Sequence, residues 1–114
     1  MNPFKKLKAY LRFHEAVRKA EEAHARTGAR YYVIPASKGI LLVTDRKNFR
    51  QMKQKGYIKR GITVADLIAY SFYYTPYRDG SQPIEATYAA EKKKSYYRWY
   101  ERENKRQTIK KGAK

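Results

Sequence analysis

Residues 45–55 combine closely spaced cations with amide side chains, and the chemistry of this pattern is phosphate binding. The segment has the spacing of a short helix, in which Phe49 and Met52 point inward and Asp45 is the only acid. The cations left on the outward face are Arg46, Lys47, Arg50 and Lys53. Lys and Arg neutralise phosphates, and Asn and Gln can add hydrogen bonds to phosphates or bases. The segment therefore predicts a surface that binds a phosphate backbone.

A second basic segment, residues 92–102, interleaves cations with aromatic rings. At helical spacing Tyr96, Trp99 and Tyr100 share one face, which we expect to pack inward. The residues predicted to bind nucleic acid here are Lys92, Lys93, Arg98 and Arg102, with Tyr97 for base stacking. Stacking of a base on an aromatic ring contributes about 1–3 kcal/mol.

Patterns typical of enzymes are missing from the sequence. His14 and His24 are ten residues apart on one predicted helix, a separation of about 15 Å, so they cannot share a metal ion. There is no P-loop, no G-x-G-x-x-G and no G-x-S-x-G. The twelve tyrosines lack the histidine and arginine partners that tyrosine nickases and recombinases use. We therefore predict a protein that is not an enzyme, with no catalytic residue, metal site or cofactor.

Length and charge narrow the class of protein further. The chain has 114 residues, which suits one domain, and its formal net charge of +17 favours an anionic partner. Its 42% hydrophobic and 15% aromatic content favours a folded core over disorder. The absence of cysteine excludes disulfides and thiol chemistry. No apolar segment is long enough to span a membrane or to act as a signal peptide, so we expect a cytoplasmic protein.

The elements that must position the basic segments form an α+β pattern with a single β-hairpin. A helix over 3–26 begins at Asn2-Pro3 and ends near Gly28. The predicted strands are 30–35 and 40–44, and the predicted later helices are 45–55, 64–72 and 84–106. Thr44 is expected to cap the second helix, and residues 73–83 to form a surface loop. Residues 1–107 would make one domain, followed by a disordered cationic tail over 108–114.

Two predictions concern packing around the hairpin. Because 40–43 is continuously apolar, this strand should be covered on both faces or be central, with the first and last helices packed on the hairpin. The first helix is basic and amphipathic, so it could also lie on an anionic membrane surface. We expect its apolar residues Phe4, Leu7, Leu11 and Phe13 to cover the hairpin instead, because a two-stranded sheet alone is unstable in water.

The middle of the chain resembles a known group of viral proteins. The likeness covers roughly residues 30–77 and rests on 32–43 (YVIPASKGILLV), 49–50 (FR), 55–58 (KGYI) and 72–77 (FYYTPY). These segments resemble small basic accessory proteins of unknown function encoded by single-stranded-DNA microviruses of gut bacteria. The resemblance implies a phage origin and a location in the host cytoplasm or the virion, and it assigns no site residues.

Two functional hypotheses follow from these features. The first is a nucleic-acid-binding protein that recognises phosphates with little sequence specificity, on DNA or RNA, single- or double-stranded. The second is a protein–protein interaction module, such as a virion component, adaptor or inhibitor, whose basic surface meets an acidic partner. The two hypotheses can be separated by competition, because DNA should displace a bound protein partner only if the first hypothesis is correct.

Overall fold

The computed structural model describes residues 2–56, 58 and 61–112, and these form a small α+β domain, as predicted. Within these ranges the helices are α1 (Pro3–Thr27), α2 (Arg46–Gln54), α3 (Leu67–Tyr70) and α4 (Ala86–Gly112). The strands are β1 (Tyr32–Pro35), β2 (Leu41–Thr44) and β3 (Tyr73–Tyr74). None of the helices in the described ranges is long and apolar enough to cross a membrane.

The first helix begins and ends at the residues that the sequence indicates. The Asn2 side chain accepts a hydrogen bond from the backbone N–H of Lys5 at 2.8 Å, and Pro3 occupies the first helical position. At the other end Gly28 adopts a left-handed conformation with φ of 80°, and its N–H donates to the carbonyl of His24. These contacts confirm the predicted ends to within one residue.

The sheet has three antiparallel strands in the order β2-β1-β3. The central strand is therefore β1, and β2 lies at an edge, so the prediction that residues 40–43 form a central strand is wrong. The alternative prediction, cover on both faces, is met in part, because Leu42 packs against one core and Leu41 and Val43 pack against the other. Ile40 is 48% exposed, and the apolar side chains of β2 are only half-buried. An unbroken apolar run does not distinguish a central strand from an edge strand whose two faces are each partly covered.

Side chains of the central strand alternate between two cores. Tyr32 and Ile34 face one side, where they pack with Phe49 of α2 and Leu67 of α3. Val33 faces the other side and packs against α1. The sheet is thus covered by α1 on one face and by the shorter helices on the other, which places α2 opposite α1.

The face of α1 that packs inward is made mostly of small residues. Ala9, Phe13, Ala16, Ala20 and Ala23 are buried. Phe4, Leu7 and Leu11 are instead 86%, 55% and 56% exposed, so the prediction that they cover the hairpin is wrong. Alanines let the helix axis approach the sheet closely, and of the four apolar residues predicted for the core only Phe13 is buried there.

Two predictions about the shorter elements are wrong. Asp45, not Thr44, caps α2, because its carboxylate accepts from the N–H of Asn48 at 2.8 Å while Thr44 is the last residue of β2. Residues 73–74, predicted as loop, form β3 and pair with Tyr32 and Val33. A two-residue strand leaves almost no alternation in the sequence, which is why it was missed.

The last helix is longer than predicted. α4 packs through Tyr96, whose hydroxyl donates to the carbonyl of Ala9 at 2.7 Å, and through Tyr100. Its backbone stays helical to Gly112, so residues 108–112 of the predicted disordered tail continue the helix. No glycine or proline precedes Gly112 in this segment, so no residue there ends a helix. Residues 113–114 lie outside the described ranges.

Candidate nucleic-acid interface

The outward face of α2 presents three predicted site residues to solvent. Phe49 is fully buried and fixes the orientation of the helix, which leaves Arg46, Lys47 and Arg50 exposed. The ion pairs observed within the described residues involve cations of α1 and α4 and none of α2. The one acid at this end, Asp45, is engaged with the backbone as the helix cap. The face therefore carries positive charge with little compensation.

The fourth predicted cation of α2 has a different environment. Lys53 is half-buried, and its charge contributes to the lowered pKa of Asp66. The main cause of that lowering is the pair of hydrogen bonds that the Asp66 carboxylate accepts from Thr63, both at 2.8 Å. Because its side chain is half-buried, Lys53 is a weaker candidate for phosphate contact than the exposed Arg50.

Beside the N-terminus of α2 lies a cleft that the sequence did not predict. Its larger lobe has a volume of about 610 Å³ and is lined by residues that include Arg30, Tyr77 and Arg78. A smaller lobe of about 220 Å³ shares Arg30 and Tyr77 and is bounded by Arg46 and Lys47. The two lobes thus connect the cations of α2 to arginines from distant parts of the chain.

The centre of this cleft is a buried arginine without a carboxylate partner. Arg30 is only 6% exposed; its Nε donates to the carbonyl of Thr75 at 2.8 Å and its Nη2 to that of Gln82. The guanidinium lies over the rings of Tyr77 and Tyr74, at 3.9 and 4.8 Å from their centroids. Its Nη1 is buried and lacks a hydrogen-bond partner in the described part of the chain. A buried cation of this kind is costly unless an anion compensates it.

Two further arginines border the cleft. Arg46 donates to the Tyr77 hydroxyl at 3.3 Å, and its interaction with the hydroxyl of Tyr32 is the main cause that raises the pKa of Arg46. Arg78 donates to the carbonyl of Thr27 at 2.7 Å. Both guanidinium groups are held in place at the surface and keep donors for a ligand.

The acids of the cleft are committed to backbone contacts. The Asp79 carboxylate accepts from the N–H of Ser81, and hydrogen bonds with Ser81 lower the pKa of Asp79. Asp45 caps α2. Sequence reasoning missed Arg30, Tyr77 and Arg78 because Arg30 is far from the other two along the chain, and only the pairing of β3 with β1 brings them together.

In α4 one of the predicted site residues is buried. Lys92 is 5% exposed, and its Nζ donates to the carbonyls of Ile68 and Ser71, both at 2.5 Å. Burial lowers the pKa of Lys92 to about 8. The prediction that Lys92 contacts nucleic acid is therefore wrong: its ammonium joins α4 to the end of α3.

Two other predicted residues of α4 are partly used in packing. Lys93 is half-buried, with Nζ 5.5 Å from the ring centroid of Tyr10 and 5.8 Å from that of Phe13. The Tyr97 ring is also half-buried, 5.2 Å from the ring of Tyr96, and burial raises the pKa of Tyr97. Base stacking on Tyr97 stays a prediction, restricted to the part of the ring that is exposed.

Arg98 and Arg102 are exposed, as predicted. Arg98 contacts the Ser95 hydroxyl at 3.2 Å, a weak local contact that leaves its remaining donors available. This half of α4 packs with α1 through Tyr96 and Tyr100, whereas α2 packs on the opposite face of the sheet. The two predicted binding segments therefore belong to differently packed parts of the molecule.

Groups that could carry other chemistry are sparse in the described part of the chain. It contains no group of three or more His, Cys, Asp or Glu placed to hold a metal ion. The Nδ1 atom of His24 lies 2.9 Å from the carbonyl of Ala29 at the end of α1, and His14 is exposed.

Comparison of the chain with protein-family models, curated proteins and solved structures finds no match.

Proposed function

We propose that this protein binds nucleic acid through the phosphate backbone, without catalysing a reaction. The proposed surface is the outward face of α2 together with the cleft beside its N-terminus. Binding of this kind suits a cytoplasmic or virion protein of a phage, the setting that the resemblance of residues 30–77 implies.

The observation that carries the proposal is the uncompensated charge around one cleft. Arg46 and Lys47 border it, Arg50 follows one turn later, and Arg30 lies buried at its centre without a carboxylate. Coulomb repulsion among these groups falls when an anion binds, and this reduction in repulsion contributes to the affinity. A phosphate backbone supplies anions at regular spacing and matches a row of cations along a helix.

Contacts of this type favour affinity over sequence specificity. Arg and Lys contacts to phosphates position a protein on nucleic acid but do not distinguish bases. Non-specific binders of this class have micromolar or weaker affinity at physiological salt, and their affinity falls steeply as salt rises. The predicted binding constant is therefore micromolar, with little preference among sequences of equal length.

The test is fluorescence anisotropy with labelled duplex DNA, single-stranded DNA and RNA of equal length, with polyglutamate as competitor. We expect unlabelled DNA to displace the probe at far lower charge concentration than polyglutamate. Lys47→Gln/Arg50→Gln should weaken binding at least tenfold at ~50 mM salt, because two phosphate contacts are lost.

The matched control removes two exposed cations of α1, Lys19→Gln/Arg26→Gln, which lowers the net charge equally. This control should change the affinity less than threefold. If polyglutamate displaces the probe as well as DNA does, the acidic-protein hypothesis replaces this proposal. If the wild-type protein binds no nucleic acid at ~50 mM salt, the proposal is wrong.

A further inference from the structure

The first three turns of α1 expose apolar side chains on the face that points away from the protein. Phe4, Leu7 and Leu11 recur at three- and four-residue spacing and so form one stripe along the helix. Ala16 lies nine residues after Leu7, which is two and a half turns, so the buried side of the helix is opposite the stripe. We call Phe4, Leu7 and Leu11 the outer stripe.

The charged residues in the first three turns of α1 are all positive. Lys5, Lys6 and Lys8 are exposed, and the first acid in the chain is Glu15. Beyond the stripe the same face becomes polar, with Arg18 paired to Glu15 and Glu22 at 2.7 Å. The apolar and cationic character is therefore confined to the first turns of the helix.

We propose that the outer stripe and its flanking lysines bind the surface of a bilayer that contains anionic lipids. The helix would lie flat, with Phe4, Leu7 and Leu11 inserted at the boundary between headgroups and acyl chains and the sheet on the side away from the lipid. A helix with apolar residues on one face and lysines beside them is the usual form of an interfacial segment. The proposal is independent of nucleic-acid binding.

Charge argues against a second copy of this chain as the occupant of the stripe. Two stripes in contact would bring two sets of lysines together in a protein whose net charge is already +17. No acid within the first 14 residues could compensate them.

Area argues against a folded protein partner. Three side chains on a convex helix face cover far less than the about 800 Å² per partner of a stable protein interface. A bilayer needs no complementary groove, and each cation near an anionic surface adds about fivefold to the binding constant. Several lysines and three inserted apolar side chains together are sufficient for reversible binding.

The test is co-sedimentation of the nuclease-treated full chain with vesicles. One set is phosphatidylcholine alone, and the other is equal parts of phosphatidylcholine and phosphatidylglycerol. We expect binding to the anionic vesicles, at least tenfold weaker binding for Leu7→Gln/Leu11→Gln, and no change for Ile40→Gln. Ile40 is the matched control because it is an exposed apolar residue elsewhere, and all three positions are exposed enough that the variants should fold.

The outcomes separate this proposal from the others. If the wild-type protein does not sediment with anionic vesicles, or if Leu7→Gln/Leu11→Gln binds them as well as wild type does, the proposal is wrong. If sedimentation velocity shows a dimer that the same double variant abolishes, the stripe is a self-association surface instead. DNA affinity should be unchanged in the double variant, so failure here leaves the nucleic-acid proposal intact.

Discussion

The two basic segments of this chain look alike in sequence and are used differently by the fold. In α2, Phe49 takes the buried position and the cations at 46, 47 and 50 remain in solvent. In α4, the cation at 92 is buried against carbonyl groups, and the one at 93 lies over aromatic rings. The other cations of that segment, Lys94, Arg98 and Arg102, are exposed.

The difference shows what a run of cations does and does not indicate. A lysine has a long apolar stem and three donors, so it can satisfy backbone carbonyls that a loop or a short helix leaves unpaired. α3 is a single turn, and the carbonyls of Ile68 and Ser71 at its end need such a donor. Basic residues next to a short helix are therefore weaker evidence for ligand binding than basic residues on a complete amphipathic helix.

The strongest test of the difference between the two basic segments is to remove the buried ammonium of Lys92. Lys92→Met should lower the free energy of unfolding by about 1–3 kcal/mol, because buried carbonyls lose their donor. Urea denaturation followed by circular dichroism measures it, with Lys93→Met as control. DNA affinity should change less than twofold in Lys92→Met. If Lys92→Met keeps full stability but loses DNA binding, Lys92 is part of the binding surface after all.

The exposed end of α4 tests whether the second segment contributes to binding at all. Arg98→Gln/Arg102→Gln should weaken duplex binding by about three- to tenfold at ~50 mM salt, less than the α2 variants, because these residues lack a cleft beside them. Anisotropy titration measures the change. A loss greater than that of Lys47→Gln/Arg50→Gln would make α4 the principal binding element.

Lys92 also predicts a dependence of stability on pH. Burial lowers the pKa of Lys92 to about 8 in the folded chain, whereas in the unfolded chain the lysine has its ordinary pKa of 10.5. Between these two pH values the unfolded state therefore binds more protons than the folded state. The free energy of unfolding should therefore gain a contribution that rises with pH from about 8 towards 10. Denaturation of wild type and Lys92→Met at each pH isolates this contribution as their difference. If the difference in unfolding free energy between wild type and Lys92→Met did not change with pH over this range, the lowered pKa of Lys92 would be contradicted.

The smallest effect is expected at the end of α4. Removal of residues 108–114 should shift the melting temperature by no more than about 1–2 °C, because the last residues of a domain seldom contribute to its stability. The DNA affinity should fall slightly because cations are lost. A much larger drop in melting temperature would show that this segment packs against the domain.

Much of the fold could be predicted from local signals. The Asn2-Pro3 start and the Gly28 end of α1 both use interactions within a few residues, and both are observed. The position of Phe49 on α2 follows from helical spacing alone. Such features depend on the chain near them and are visible in the sequence.

The features that were missed depend on distant parts of the chain. The edge position of β2 follows from the pairing of β3 with β1, and the exposure of Leu7 and Leu11 follows from alanines that take the inner face of α1. The cleft around Arg30 requires Thr75 and Gln82 from a loop more than 40 residues away. Sequence periodicity contains no information about which of two apolar faces meets the sheet.

The most direct test of the central claim is the salt dependence of duplex binding by Arg46→Gln/Lys47→Gln/Arg50→Gln. For the wild-type protein the slope of log K against log salt should be roughly −4 to −5, since each phosphate contact contributes about 0.9. The triple variant should lose about 2.7 of this slope, whereas the α1 control Arg18→Gln/Lys19→Gln/Arg26→Gln should keep it nearly unchanged. Equal slopes for wild type and the α2 variant, or an equal loss in the α1 control, would contradict the assignment of binding to α2.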